Sequence, residues 1–492
     1  MKRAFFILIV LLLISNLIIA QSNTDTIFLS VLDCREIAYA ENYTIQTAKA
    51  QYAIAENLNM SAKTQYFGQF NLVGHYQLTN KPFQVLSDNL FMPVVPFWSI
   101  DQASMGLNPN MLENPLLNGM VLNPLTGEVM TDPEGNPLFF FYSYLPADQM
   151  KFGTHHNFVF GPSFMQPLYL GGKIRSLNKI AQSGKEIASY KMNIEQDKEI
   201  YKIEQAYWRI VDLQEKQKIV EKYLKLLNRV LYDVENLYNE GIITRAEVLQ
   251  VNVKINEANL DQAKVNNGLM LSEMALCQLI GLPIESKIYL TDTPNDIQAL
   301  PNSDGSAQLA LDSRSEIKIL EETQKLAIAQ QNMARSRFLP NAALAANYLF
   351  INPNPYKGFD KSFGADWTVG ISMQIPITHW GDRFYTMNAS KELIHIAELK
   401  KEEAKSLISL EVQQAWFKYS EAVKNLSLNE KSVELAEETL RISQDNFDEG
   451  MISITKLLEA QTNWHKTKAN LIEAKTQVKM LEVEYKMKTG QF

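Results

Sequence analysis

The segment YNEGIITRAEVL at residues 238–249 returns as FDEGMISITKLL at residues 447–458. Gly241 aligns with Gly450, and Leu249 with Leu458, at an offset of 209 residues. Outward from this pair, the same offset carries Ala206 to Ala415, Gly172 to Gly381 and Pro167 to Pro376 without a gap. Farther upstream the offset becomes 272, carrying Ile45 to Ile317, Ala55 to Ala327, Leu72 to Leu344 and Tyr76 to Tyr348. The difference of 63 residues is an insertion in the first copy. The chain is two copies of one unit, and repetition of this kind decides the fold before any single motif does.

Each copy reads as helix, strand, strand, long helix, helix. In the first repeat, 21–300, the helix spans 30–64 and the strands 66–78 and 156–168; the long helix spans 172–240 and the last helix 244–281. In the second repeat, 301–492, the helix spans 306–337 and the strands 338–350 and 365–377; the long helix spans 382–449 and the last helix 453–489. Residues 382–449 contain no Gly or Pro, and residues 173–240 contain only Gly184. Val220, Leu224, Leu227, Leu231, Val234 and Tyr238 form a coiled-coil seam, echoed by Val433, Ala436, Leu440, Ser443 and Phe447. At 1.5 Å per residue each long helix is ~100 Å long. Gly241 and Gly450 suit the left-handed residue that closes a helix, and Thr244 and Ser453 suit the N-caps of the returning helices. Trp208 and Trp416 lie near equivalent positions and are expected to pack between helices.

The strands alternate. Trp367, Val369, Ile371 and Met373 share one face; Thr368, Gly370, Ser372 and Gln374 share the other. Phe70, Leu72, Tyr76 and Leu78 stand opposite Gln69, Asn71, His75 and Gln77. This pattern fits a membrane β-barrel with a wet lumen, and equally a half-buried soluble sheet. The absence of an obvious cover for the sheet favours the barrel. Four strands cannot close one, since about eight are needed. Open strand edges in lipid leave backbone groups unpaired. Sister chains must therefore complete the cylinder, and the residues alone allow two, three or four copies.

Residues 1–20 read as a secretory signal peptide, with Lys2 and Arg3 before an apolar run ending at Ala20. No later run is long and apolar enough for a spanning helix. The net charge of −8 argues against nucleic acid as a partner. Cys34 and Cys277 imply no disulfide framework, and a single bridge between them is left open. The six His are scattered, and no phosphate loop or nucleophile–base arrangement stands out, so neither enzyme activity, cofactor nor metal is expected.

Several features together resemble the TolC-type outer-membrane efflux family. They are the duplicated unit, Pro340 after Arg337-Phe338-Leu339, the Pro376 to Gly381 junction, the two Gly-centred tips, and Asp312-Ser313-Arg314-Ser315-Glu316-Ile317 opening the second copy. The resemblance covers nearly the whole chain after the signal. It implies a mainly α fold with a membrane β-barrel: a homotrimer with a 12-stranded barrel in outer-membrane lipid and a long antiparallel helical barrel in the periplasm. It implies a passive exit duct for small molecules in a tripartite efflux system. The partners would be a periplasmic adaptor (membrane fusion) protein and an inner-membrane pump of RND or ABC type. Two other readings stay open: a type I protein-secretion duct, and a periplasmic coiled-coil scaffold or adaptor. An adaptor needs a compact Gly-rich β module that the sequence lacks.

By the same resemblance, Glu247 and Glu459 fall where acidic residues ring the periplasmic aperture. Glu247 also fits a capping box, Thr244-Arg245-Ala246-Glu247, and Glu459 fits a solvated helix face. Lys456 stands where the family is often acidic. Lys456 and Arg245 are expected to pair with acids on neighbouring helices. Gly241, Ile242, Ile243, Gly450, Met451 and Ile452 are the expected adaptor-contact tips, because apolar residues there suit a docking partner; the alternative is that they plug their own turns. The chain departs from the family at 79–155, a long insert dense in Pro, Met, Asn and aromatics. Its aromatics suggest an ordered extracellular cap leaning over the pore, and the alternative is a variable surface loop.

Overall fold

The computed structural model describes residues 26–81, 83–84, 86–101, 106–108, 113–149, 151–152, 154–294, 305–358 and 360–492. The expected signal peptide and the repeat junction at 300/301 lie outside them. The chain forms two compact units. One comprises Met1–Thr64, Gly172–Arg337 and His379–Phe492; the other comprises Gln65–Gly171 and Phe338–Thr378. One unit gathers the long helices with one short strand pair, and the other gathers the four long strands, so each takes its share from both sequence repeats.

The helical unit contains α1 (Val31–Glu41), α2 (Tyr43–Thr64), α3 (Lys173–Asn239), α4 (Arg245–Ile280), α5 (Ser306–Ser313), α6 (Ser315–Ser336), α7 (Asp382–Asp448) and α8 (Ile454–Lys488). The α3 and α7 helices have 67 residues each, as the breaker-free runs predict. The α3 helix packs along α2, α4, α6 and α8, while α7 packs along α5, α6 and α8. The buried seam of α3 near the tip is Val220, Tyr223, Leu227, Val230 and Val234. Leu224 and Leu231 flank this core, and Tyr238 is exposed. The seam is thus rotated slightly from the one read in the sequence.

The predicted single helices 30–64 and 306–337 are each broken. Asn42 (ψ 122°) separates α1 from α2, and Arg314 (ψ 131°) separates α5 from α6. The two breaks are equivalent at offset 272, and each break residue donates its N–H back to a buried alanine, Ala38 or Ala310. Asn42 Oδ1 accepts the Ile45 N–H at 2.9 Å and so caps α2, a local bond that competes with a continuous helix. Arg314 is instead held by Glu316 and Glu411, at 2.6 and 2.9 Å. A short parallel pair, β1 (Ile27–Leu29) with β4 (Ile288–Leu290), ties the start of the described chain to the segment after α4. The Tyr207 hydroxyl donates to Asp292 Oδ2 at 2.9 Å beside it. The sequence reading did not anticipate this pair.

The two halves of the helical unit bury their faces unequally. Trp208 of α3 is 8 % exposed and has Lys479 of α8 over its ring, whereas its equivalent at offset 209, Phe417 of α7, is 64 % exposed. Trp416 is the equivalent of Tyr207, which refines the sequence pairing of Trp208 with Trp416. Leu458 of α8 is 4 % exposed, and its equivalent Leu249 of α4 is 54 % exposed. The first copy's long helix is covered by the second copy's last helix; the reciprocal cover is missing among the described residues.

The strand unit is a four-stranded antiparallel sheet. Its order is β2 (Gln69–Leu78), β3 (His156–Leu170), β5 (Asn341–Asn352), β6 (Gly364–Gln374). The register places Phe70 opposite Phe164, Tyr76 opposite Phe158, Phe160 opposite Phe350, and Tyr348 opposite Trp367. One face is therefore aromatic and aliphatic across all four strands. The other carries Asn71, Ser163, Asn347 and Thr368, with an Asn347–Thr368 hydrogen bond at 3.4 Å. Gly161 permits close strand approach, since a Cβ there would collide with the Tyr348 carbonyl. All ten residues of β2 are exposed, as are Trp367, Val369, Ile371 and Met373 of β6. The apolar face is not folded into a dry core within its own unit.

The insert joins β2 to β3. Leu90–Pro93 pairs with Tyr142–Leu145, and Met120 and Phe139 are buried together against Val95 and Val129. Tight turns close at 123–128 and 132–136, where Asn123 N–H donates to the Glu128 carbonyl and Asp132 Oδ1 accepts the Asn136 N–H, both at 2.8 Å.

Candidate functional site at the hairpin tips

Both tips close by one scheme. Gly241 (φ 75°) and Gly450 (φ 72°) adopt the left-handed conformation. Ile242 N–H then donates to the Leu237 carbonyl at 2.9 Å, and Met451 N–H to the Asn446 carbonyl at 2.7 Å. These bonds satisfy carbonyls that a helix end leaves without partners. The chain returns through Thr244 and Ser453 at the N-cap positions. Glu247 accepts the Thr244 N–H at 2.8 Å and its hydroxyl at 3.2 Å, so the sequence-predicted capping box is formed.

The tips lie side by side. A cavity of about 500 Å³ is lined by Leu237, Ile242, Ile243 and Glu247 from the first and by Phe447 and Ile452 from the second. Ile243 packs on the core of Tyr223, Leu227 and Leu457, so it does plug its turn. Ile242 and Met451 remain exposed. The apolar tips therefore divide into one set that seals the turns and one set left to solvent. The Thr455 hydroxyl donates to Gln250 Oε1 at 3.1 Å and links α8 to α4.

Among the described residues, Lys456 does not pair with a neighbouring helix. Its Nζ meets Glu459 Oε2 at 2.7 Å, one turn along α8. The i,i+3 spacing brings the two together, and the long reach to another helix is not needed. Arg245 is exposed and has no ion pair among the described residues. The four candidate residues form no single cluster: Glu247 is a cap, Lys456 and Glu459 are a pair, and Arg245 is separate.

Sequence reading missed two features here. A groove of about 740 Å³ runs between α4 and α8, walled by Leu249, Val253 and Leu458 and rimmed by Lys254, Glu459 and Lys466. Its signal is Leu249 and Val253 at i,i+4 on an otherwise polar flank. Far from the tips, Arg314, Glu316, Glu411 and Lys488 form an ionic network. Burial works against the Glu411 carboxylate, but the hydrogen bonds from Arg314 and Lys488 outweigh it and hold its pKa below the usual range. Only the Asp312 to Ile317 motif hinted at this site.

Comparison with known proteins places the chain. It is 21 % identical over 239 residues to nodulation protein T of Rhizobium leguminosarum bv. trifolii, and spans about half the length of that relative (50 %). The fold matches CusC, with a TM-score of 0.69 at 15 % identity, covering 95 % of this chain and 94 % of that one. It also matches VceC from Vibrio cholerae, with a TM-score of 0.66 at 14 % identity, covering 94 % and 96 %. The Campylobacter jejuni CmeC outer membrane channel gives 0.67 at 16 %, covering 94 % and 85 %. At such identities these structures speak to fold alone. The profile described as "Outer membrane efflux protein" matches residues 140–282 and 307–484, more than half of the chain, which therefore belongs to the outer membrane efflux protein family.

Proposed function

We propose that this protein is the outer-membrane channel-tunnel of a tripartite efflux system. Three copies close a 12-stranded barrel in outer-membrane lipid and an antiparallel helical barrel in the periplasm. The duct is passive, and an inner-membrane transporter supplies the energy through a periplasmic adaptor docked at the tips. Ile242 and Met451 are the side chains offered to that adaptor.

One observation carries the reading: the bare surfaces are the equivalents of covered ones. Within the chain, α8 covers Trp208 on α3. The repeat then calls for an α4 to cover Phe417 on α7, and only a second copy has one to give. A contact that runs head to tail in this way closes into a ring when the rotation permits. The sheet calls for the same step. Its edges, β2 and β6, are left over, and one chain's four strands fall short of the roughly eight a barrel needs. Threefold closure is taken from the family resemblance.

Single-channel recording in planar bilayers tests the pore. The wild-type protein is expected to conduct in discrete steps with cation preference. Glu459→Gln removes the partner of Lys456 and leaves its charge uncompensated, so cation preference should fall. Unchanged selectivity would remove Glu459 from the aperture. Cargo is tested in cells lacking the protein: drug accumulation supports efflux. A polypeptide retained inside, with drug sensitivity unaltered, would replace efflux by type I secretion.

A further inference from the structure

We propose that the insert between β2 and β3 is an inter-subunit clasp, its aromatic face packing against the same insert of the next copy of this chain. The inference rests on the multi-copy barrel reading given above. It starts from position. The insert is rooted on β2, an edge strand whose ten residues are all exposed, and this edge is the one a neighbouring copy must meet.

The described part of the insert is folded, yet its rings lie exposed. It has its own small core at Met120 and Phe139, and a buried Ser99–Asn118 hydrogen bond of 2.5 Å. Outside that core, Phe91, Phe97, Trp98, Phe140, Phe141 and Tyr144 stay exposed. The Phe91 and Tyr144 rings are 5.0 Å apart across the Leu90–Pro93 and Tyr142–Leu145 pair. Val94 N–H continues that pairing to the Phe141 carbonyl at 2.9 Å. These rings therefore sit on two joined stretches, not on scattered loops.

Charge identifies the occupant. Residues 89–100 and 137–147 contain no charged side chain. The whole insert, 79–155, has two Lys and no Arg against seven acidic residues, three of them (Glu128, Asp132 and Glu134) in its turns. Such a segment is repelled by an anionic lipid headgroup layer, which draws Lys and Arg instead. An uncharged aromatic centre with charge kept to the side is how a protein–protein interface is composed. A second copy brings the same uncharged face to the same boundary, and symmetry presents it at matching height.

The test places the photoreactive residue p-benzoylphenylalanine at position 97 of the full chain in its native membranes. Irradiation is expected to give covalent dimers and trimers of this chain. Adducts to lipid or to another protein, or no adduct from a particle shown by native mass spectrometry to be oligomeric, would overturn the clasp and leave the barrel standing. A monomeric particle would overturn both. As a second measurement, Phe97→Ser with Trp98→Ser should still give the oligomer but lower the temperature at which it dissociates in detergent by several degrees. An unchanged dissociation temperature overturns the clasp.

Discussion

Gly241 and Gly450 hold a backbone conformation that costs other residues about 1–2 kcal/mol, with no steric neighbour at either position. Gly241→Ala is therefore expected to destabilise the first tip by that amount through backbone strain alone, measurable in denaturant melts of the purified protein; no loss would mean the turn relaxes. Gln461 gives the opposite expectation. It is fully buried on α8 beside Leu457 and Leu458, and neither polar atom of its side chain has a partner among the described residues. Leaving a buried amide unmatched costs about 1–3 kcal/mol, so Gln461→Leu should stabilise the protein by a comparable amount. A lower melting temperature for that variant would show that the amide is satisfied in solution. The turn glycines were legible in the sequence because glycine takes this conformation at the least cost. Gln461 was not, because burial around a seam depends on which helices arrive there.

At the scale of elements, regular repetition made α3, α4, α7 and α8 readable to within a few residues, and period-two alternation did the same for the four strands. The breaks at Asn42 and Arg314 escaped because they are tertiary: α4 receives the Asn42 amide at the Leu279 carbonyl (2.6 Å), and α7 supplies Glu411. The insert's small core escaped because its contacts join residues far apart in a segment without period. The Arg314 network has a consequence for pH. Hydrogen bonds from Arg314 and Lys488 hold the Glu411 carboxyl below its ordinary value despite burial; outside that network, Lys479 and Lys486 do the same for Glu482 on α8. A depressed folded pKa contributes stability that is present above the unfolded value, about 4.3, and is lost as pH falls through the folded value. Glu204 acts in the other sense, since burial outweighs Arg35 and raises its pKa. Melts from pH 7 to pH 3 should show the wild-type protein losing stability toward acid, and Glu411→Gln losing less across that range. Parallel curves for the two would mean the network does not form.

For the whole molecule, the internal repeat identifies the surfaces that the proposed assembly must cover. Its first copy finds cover for Trp208 and Leu458 finds α3; the second copy leaves Phe417 bare, and Leu249 of the first has no long helix to meet. The sheet ends in two open edges and turns an uncovered apolar face outward. These deficits are matched in number and kind, as expected of a surface that completes itself with copies of its own chain. Native mass spectrometry of the protein extracted from membranes in mild detergent measures this most directly. The account predicts particles of three chains that need detergent for release and stay assembled until heated. A single chain, freed by salt alone and stable in water, would contradict it.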